Sequence, residues 1–599
     1  MHLLHYYLEM YHRLGASLSV PVKAGSSELE GILYCTKRNV RHILHKMSDR
    51  EWIVYTAGGG RGHRSTIIFL LEYEAALKQA AGELVQSGRV EEAFRLVERH
   101  GHGTSFNLGS FIEWLNAYFG TPLKHSDEDA LEVLRLPLYR KMLTADPAQA
   151  FYGLDIHIVS QVFETLVVQG EDEGEFVGRL AHHWSCSTEG TRWRFDLRKG
   201  IFFHQGRELE AEDVQFSLER LMDPAHLQCW LVENIKSIHI LGKYKLELIL
   251  KQPNFRLLSY LSYPPASIVS RNEFNRSGKL VGTGPFRLAY HTANLCRLEA
   301  FDHYSGHRTL LDRVELYSIP EHEGTRLDER HSLLRVHTDE LHPESSRSVP
   351  DWTQHKKLTG CTVLTLNQSQ KDKLLTLQPL REALNQLIDR SRMVAELGRS
   401  RHSTSQGFNL EHAGQQPADF NPVYGRELLE QSGLPSGKLR LQLLTYGRHE
   451  SDARWLSREF ESYGITLDVR VVAWEELLQS SVRKEADLIL YELLIGEGII
   501  RLIESVKSHF IRDHLQAEQI SRISGLIRSW EQGHMAGAEE LLAGIEAVLR
   551  EESAVLFLAN KIICCSSSPY LHHVRLHPRG WVDFKELWYD PAIEMESSG

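Results

Sequence analysis

Two neighbouring stretches of this chain concentrate side chains that bind polyanions. In "TKRNVRHILHKMSD" Thr36, Lys37, Arg38, Asn39, Arg41, His42 and His45 follow one another closely, and in "AGGGRGHRST" at Ala57–Thr66 four glycines are interleaved with Arg61, His63 and Arg64. A guanidinium fork chelates phosphate oxygens or the O6/N7 edge of guanine, and an Asn amide matches the edge of adenine. From Cys35 to Ser65 seven basic residues stand against two acidic ones, in a chain whose formal net charge is −11. A basic island in an acidic protein is the electrostatic footprint of a DNA-binding module, not of a protein that coats itself in nucleic acid.

The glycines raise a rival chemistry, a cradle for a nucleotide phosphate. A Walker A loop needs G-x-x-x-x-G-K-[ST], and a dinucleotide fingerprint needs G-x-G-x-x-G opening a helix. This segment has no Lys and runs into the strand-like "STIIFLLEY". Both cradles fail on context. As a hairpin tip, the glycines permit positive φ and close approach to a duplex, which leaves Arg61, His63 and Arg64 to meet backbone phosphates or a narrow minor groove.

Such side chains need a frame. Residues 3–14 are a helix candidate, "VPVKAG" breaks the pattern, and "SSELEGIL" opens with serines suited to N-capping, Glu30 standing three residues past Ser27. Leu33 to Cys35 is a short turn, and Thr36 is the expected N-cap of a third helix. There Val40, Ile43, Leu44 and Met47 recur at i, i+3, i+4 and i+7 on one stripe, while Arg38, Arg41, His42 and His45 repeat that spacing half a turn away. A solvated outer face has the same pattern, but here "EWIVYT" and "STIIFLLEY" follow as a hairpin. Three helices and a two-stranded wing predict a winged helix-turn-helix over 1–74. Arg38 and Arg41 are then the expected base readers, and Arg61, His63 and Arg64 the expected backbone contacts.

The rest of the 599 residues is too long for one further ordinary domain, and 42% hydrophobic with 25% charged residues is a normal soluble composition. No apolar run approaches the roughly 18–20 residues of a membrane span, so no membrane association is expected. The start, "MHLLHYYLEMYHRLG", lacks a basic n-region and a small-residue cleavage site, which predicts no secretory signal and a cytoplasmic location. Seven scattered cysteines without a C-x-x-C pair fit a reducing compartment. The pairs His182-His183 and His572-His573 have no third ligand at a metal-binding spacing, so neither metal nor cofactor is predicted. With no nucleophile elbow, H-E-x-x-H or EF-hand loop, the expectation is a non-enzyme. Residues 75–126 are a helical connector between domains, the alternative being a helical part of the first domain or of an oligomer interface. From 127 on the pattern is mixed α/β: "RWRFDLRKGIFF" alternates like a half-buried strand, and a helix follows with Val214, Leu218 and Leu221 on one face. No motif sets an oligomeric state.

The segment "VGRLAHHWSCSTEGTRWRFDLRKGIFFHQGRELEAEDVQFSLERLMDP" resembles the characteristic stretch of the family 5 extracellular solute-binding proteins. "VGTGPFRLAYH" at 281–291, "LEAFDHYSGHRTLLDRVELYSIPE" at 298–321, "PLREALNQLIDRSRMV" at 379–394 and "FNPVYGRELLEQSGLPSGKLRLQLLTYG" at 420–447 follow in that family's order. Joined to a basic winged helix, this is similar to the SgrR-like transcriptional regulators, with "GWVDFKELWY" at 580–589 as the other end of the likeness. The resemblance implies a multidomain chain: the winged helix-turn-helix (α+β), then a two-lobed α/β domain of the class II periplasmic-binding-protein type over 127–599. Lobe one would comprise 127–359 and 563–599, and lobe two 360–562. It also implies a cytoplasmic, ligand-responsive regulator whose partners are operator DNA and a small solute such as a sugar phosphate or a short peptide. The alternative is an oligopeptide-type binding component of an ABC transporter. Where peptide-binding members place a Trp and an acid for the peptide's amino terminus, this chain reads "ADLILYELLIGEG" at 486–498, with Glu492 or Glu497 as possible substitutes. Tyr446, Trp474, Tyr491 and Glu492 are the candidate solute contacts, rings for stacking and a carboxylate for hydrogen bonding.

Overall fold

The computed structural model describes residues 3–58, 63–120, 131–138, 141–170, 174–319, 334–337, 353–369, 374–398, 400–408, 420–433, 439–494, 498–507, 510–577 and 580–589. The chain divides into two compact units, one of Met1–Met142, Ala289–Arg297 and Val314–Leu333, the other of Leu143–Leu288, Leu298–Arg313 and Leu334–Gly599.

The first unit opens with α1 (Leu3–Arg13), β1 (Pro21–Ala24), α2 (Ser26–Leu33), α3 (Lys37–Ser48), β2 (Ile53–Thr56) and β3 (Ser65–Phe69). The sheet order is β1-β3-β2, all antiparallel. The segment expected to be a break therefore supplies a third strand: Pro21 to Ala24 pair with Ile68 to Ser65. A proline is tolerated because it begins an edge strand. The cap of α2 also differs from the expected serine cap. Gly25 is the N-cap, and its N–H donates to the Glu28 carboxylate at 3.1 Å, so Glu28 and not Glu30 closes the turn. Then α4 (Tyr73–Gln86), α5 (Val90–His100), α6 (Leu108–Gly120) and β4 (Val133–Leu138) follow. Leu44, Met47 and Phe69 of the winged helix share one core with Leu77 of α4, Phe94 of α5 and Phe111 of α6, joined by Leu295 and Tyr317 from the returning segments.

In the second unit α7 (Gly153–Val162) precedes an antiparallel sheet in the order β5-β6-β8-β7, built from β5 (Ala181–Cys186), β6 (Arg192–Leu197), β7 (Ile235–Gly242) and β8 (Lys245–Leu250), with α8 (Ala211–Leu221) between β6 and β7. Trp193, Phe195 and Leu197 of β6 point inward, as do Val214, Leu218 and Leu221 of α8. This is lobe one. A second, seven-stranded mixed sheet comprises β9 (Leu334–His337), β10 (Thr353–Leu366), β11 (Arg401–Thr404), β12 (Leu439–Tyr446), β13 (Ile465–Val472), β14 (Leu488–Leu494) and β15 (Val555–Ser567); most of it falls in the expected lobe two, while β9, the start of β10 and the end of β15 lie in the stretches expected for lobe one. Its order is β9-β15-β10-β14-β12-β13, with β11 on β15. β12 runs parallel to both β13 and β14. The long β10 and β15 pair antiparallel from Thr353–Ser567 to Thr365–Val555. Near the middle of that ladder Gly360 admits no side chain, since a Cβ there would sit 1.9 Å from the Leu493 carbonyl oxygen. The helices α9 (Glu450–Glu461), α10 (Ile499–Lys507), α11 (Ala517–Glu531) and α12 (Ala538–Glu551) complete the lobe.

Candidate functional site

The two faces of α3 divide as their residue types require. Val40, Ile43, Leu44 and Met47 are buried to between 0 and 4% exposure, and each contributes roughly 1.5–3 kcal/mol by leaving water. Thr36, extended at φ −67° and ψ 154°, is the N-cap. Thr36, Lys37, Arg38, Asn39, Arg41, His42 and His45 are all exposed. Among the described residues no ion pair ties down Lys37, Arg38 or Arg41, so their charges are available to a polyanion. The His45 ring meets the Tyr55 ring edge-on at 5.9 Å, which braces the helix against the wing.

The wing hairpin is in register up to Thr56–Thr66. Gly58 is needed there because a Cβ would lie 2.6 Å from the His63 carbonyl oxygen. His63 and Arg64 are exposed, and Arg61 lies outside the described residues. Arg64 pairs with Glu28 at the start of α2, at 3.2 Å. One exposed residue escaped the sequence reading. Tyr34, in the turn before α3, is 76% exposed and left-handed at φ 50°. The Arg13 guanidinium lies 5.4 Å from its ring centre and donates to its hydroxyl at 3.1 Å. A ring at a position that usually favours Gly was the available signal.

The second unit holds a cavity of about 970 Å³ lined by both lobes, α7 and Tyr263 on one side and Ile500, Trp530 and the start of α12 on the other. Glu164 anchors its inner wall, accepting from Arg179 at 2.7 Å, Thr283 at 2.8 Å and Tyr304 at 3.2 Å. Burial pushes that carboxyl up and Arg179 pulls it back. The Gln161 amide oxygen and the Trp530 indole N–H in the lining are buried without a partner among the described residues. None of these residues was picked out from the sequence.

Tyr446, Trp474, Tyr491 and Glu492 are brought together, but not in the lining of that cavity. Tyr446 ends β12, Trp474 follows β13, and Tyr491 and Glu492 lie in β14, near the carboxyl ends of three parallel strands, where open α/β sheets bind ligands. The Tyr446 and Trp474 rings are 4.8 Å apart, and Phe510 stacks on Trp474 at 5.7 Å and on Tyr491 at 4.6 Å. From lobe one Phe151 stacks on Trp474 at 6.3 Å and Tyr152 lies 5.2 Å from it. Glu492 pairs with Arg448 at 3.1 Å. The Trp474 N–H and the Tyr491 hydroxyl are buried without a partner among the described residues. Beside this cluster Arg501 donates to the Phe151 carbonyl at 3.1 Å and to the Tyr263 hydroxyl at 3.3 Å, and pairs with Glu504. Glu504 in turn accepts from Gln228 at 2.6 Å and Tyr263 at 3.2 Å. A buried ion pair thus links the lobes. Among the described residues no three His, Cys, Asp or Glu side chains form a metal-binding group, and no helix is long and apolar enough to cross a membrane.

Comparison with known proteins bears on both units. Residues 175–496 match the family "Bacterial extracellular solute-binding proteins, family 5 Middle", and residues 2–111 match "Sugar transport-related sRNA regulator N-term". The chain is 28% identical over 574 residues to YhjP, an uncharacterized protein of Bacillus subtilis (strain 168), covering 94% of this chain and 95% of that one. It is 25% identical over 583 residues to the HTH-type transcriptional regulator SgrR of Escherichia coli O6:K15:H31, again covering 94% and 95%. Among solved structures, the periplasmic binding protein DppA of Helicobacter pylori in complex with the peptide STSA matches with a TM-score of 0.66 at 20% identity, over 76% of this chain and 98% of that chain. The likeness shows the two-lobed fold.

Proposed function

Because the chain belongs to the family 5 bacterial extracellular solute-binding proteins, we propose that it uses that two-lobed domain as the sensor of a DNA-binding transcription regulator. The observation that carries the reading is Arg38 and Arg41, exposed and without an ion pair among the described residues, on the outer face of a helix whose inner face is fully buried. In this reading α3 enters a major groove, Arg38 and Arg41 read base edges with Asn39, His42 and His45 beside them, and Thr36 and Lys37 meet the flanking phosphates. Arg61, His63 and Arg64 hold the duplex backbone through the wing. The solute occupies the cavity; Tyr446, Trp474, Tyr491 and Glu492 gather against Phe151 and Tyr152 outside its lining, and touch the solute only where it extends beyond that lining. The protein works in the cytoplasm and releases its solute unchanged.

Solute and DNA communicate only if the solute binds one conformation better than another, and the coupling is then reciprocal. Fluorescence anisotropy with the chain's own upstream region and a random duplex, at physiological salt, tests the reading. Specific binding is expected to exceed non-specific binding by about 10³ or more, and equal affinity for both duplexes would sink it. The fold likeness to an ABC transporter-associated periplasmic binding protein favours a second reading, a binding component of an ABC importer. Finding the protein outside the cytoplasmic membrane would decide for that one.

A further inference from the structure

A folded protein leaves few buried donors without an acceptor, because an unmade hydrogen bond is not replaced by water. Two donors in the wall of the second unit's cavity depart from this rule side by side. The Trp530 indole N–H and the Arg256 Nε–H are both buried with no acceptor among the described residues, and both residues line the cavity. The Arg256 guanidinium stands 5.7 Å from the centre of the Trp530 ring, which is itself 3% exposed. Among the described residues the Arg256 guanidinium donates only to the Met535 carbonyl, at 3.5 Å, and no carboxylate pairs with it.

A third source of positive potential opens on the same wall. The 14-residue α12 begins there behind Gly537, an extended N-cap that has no side chain to close the first turn, and Ala536, Gly537 and Ala538 line the cavity. A helix start carries a partial positive charge. Of the carboxylates nearby, Glu540 accepts from the Ala536 N–H at 2.8 Å, Glu531 accepts from the Tyr260 hydroxyl at 2.6 Å, and Glu539, in the lining, is open to solvent that screens its charge. On the inner wall Glu164 is neutralised by Arg179, so that wall adds no net charge.

We infer that this corner receives an oxyanion, the carboxylate or phosphate of the solute, held by Arg256 and the Trp530 N–H beside the positive end of α12. The inference rests on the cavity being the solute site. The rest of the solute lies against the Gln161 amide and the Phe163, Phe176 and Tyr263 rings, so its body is neutral, partly polar and partly apolar. A charge-assisted hydrogen bond to an otherwise unpaired guanidinium is about twice as strong as a neutral one, which makes the anion the discriminating part of the solute.

Calorimetry on the full chain with matched probes tests this: glucose against glucose 6-phosphate, and Ala-Ala-Ala against its C-terminal amide. The anionic member of one pair is expected to bind at least about tenfold tighter than its neutral partner, and which pair does so tells phosphate from carboxylate. Arg256→Met should abolish that ratio, Arg256→Lys should restore part of it, and Trp530→Phe, which keeps the ring, should weaken the anionic member alone by about three- to tenfold. A preference that survives Arg256→Met, in a variant whose ligand-free thermal midpoint is unchanged, overturns the proposal. If both members of a pair bind equally and Ser259→Trp in the cavity wall expels them, the cavity stands as the solute site and the anion corner alone is overturned. If no probe binds saturably, both fall.

Discussion

Arg38 and Arg41 in the first unit and Arg401 and Arg483 in the second are the same side chain in opposite settings. The first two stand exposed with no ion pair among the described residues. Arg401 is 4% exposed and grips Asp452 through two bonds of 2.8 Å; Arg483 is 2% exposed, donates to Asp513 at 2.8 Å and to the Leu477 carbonyl at 2.9 Å. A buried cation whose donors are filled by its own protein fixes one arrangement of lobe two and has nothing left to offer a ligand. An exposed cation costs little to keep and gives its binding energy to a partner. Substitutions in the two settings should therefore separate cleanly, the buried set changing stability and the exposed set changing DNA affinity.

Asp452→Ala breaks the buried set most severely. It strips the carboxylate from Arg401, from His449 at 3.3 Å and from Lys561 at 3.8 Å, all inside the lobe. Burial alone would raise that carboxyl, but the Lys561 ammonium, the His449 ring and the Arg401 guanidinium hold it well below the usual carboxylate range. Leaving buried charges uncompensated costs about 3–5 kcal/mol. Denaturant unfolding should show that loss in the second unit, while an operator duplex still binds the first.

The next effect runs through pH. Burial among Phe301 and the Gly284 carbonyl pulls the His204 imidazole down from 6.5 to about 4, with the Gly284 hydrogen bond opposing. Its folded pKa is depressed, so the unfolded chain binds the proton first. The stabilisation is complete above 6.5 and is lost as pH falls toward 4, in total about 3 kcal/mol. Thermal melts of the second unit between pH 7 and pH 4 should show the fall, and His204→Gln should flatten it. A wild-type melt independent of pH across that window would refute the assignment.

How far each unit could be foreseen follows the same division between local and distant. The face of α3 was legible because its chemistry is periodic within one helix: Val40, Ile43, Leu44 and Met47 on one side force Arg38 and Arg41 to the other. β1 was missed because "PVKA" is short, begins with proline and shows no alternation, and it becomes a strand only by pairing with β3. The Gly25 cap was missed because the two serines after it are better cappers by type. In the second unit Tyr446, Trp474 and Tyr491 come together because parallel strands align their carboxyl ends. Arg256, Trp530 and Gln161 are ordinary in their own neighbourhoods, and only the meeting of both lobes puts them on one wall.

On the exposed side of the comparison, Arg38→Ala and Arg41→Ala should each cost about 1–3 kcal/mol of operator affinity if each makes a bidentate base contact, and should relax specificity at one base pair. Neither should move the melting midpoint, because neither side chain is buried. A variant carrying both substitutions that still occupied the operator normally would remove α3 from the role of recognition helix. Loss of stability without loss of affinity would erase the contrast with Arg401 and Arg483.

The smallest effect tests the wing. Arg64 is exposed and paired with exposed Glu28 at 3.2 Å, so it belongs fully to neither setting. An exposed pair of this kind contributes about 0–1 kcal/mol to stability, so Arg64→Ala should barely shift unfolding. If Arg64 holds a phosphate, the substitution should weaken binding to every duplex about equally and reduce the slope of log K against log salt by about 1. Glu28 competes with that phosphate for the same guanidinium. Glu28→Gln should therefore strengthen binding to random and operator duplexes alike, by no more than the pair was worth. If Glu28→Gln instead weakened binding, the Arg64–Glu28 pair would be a brace that holds the wing for DNA, and Arg64 would move to the structural side of the comparison.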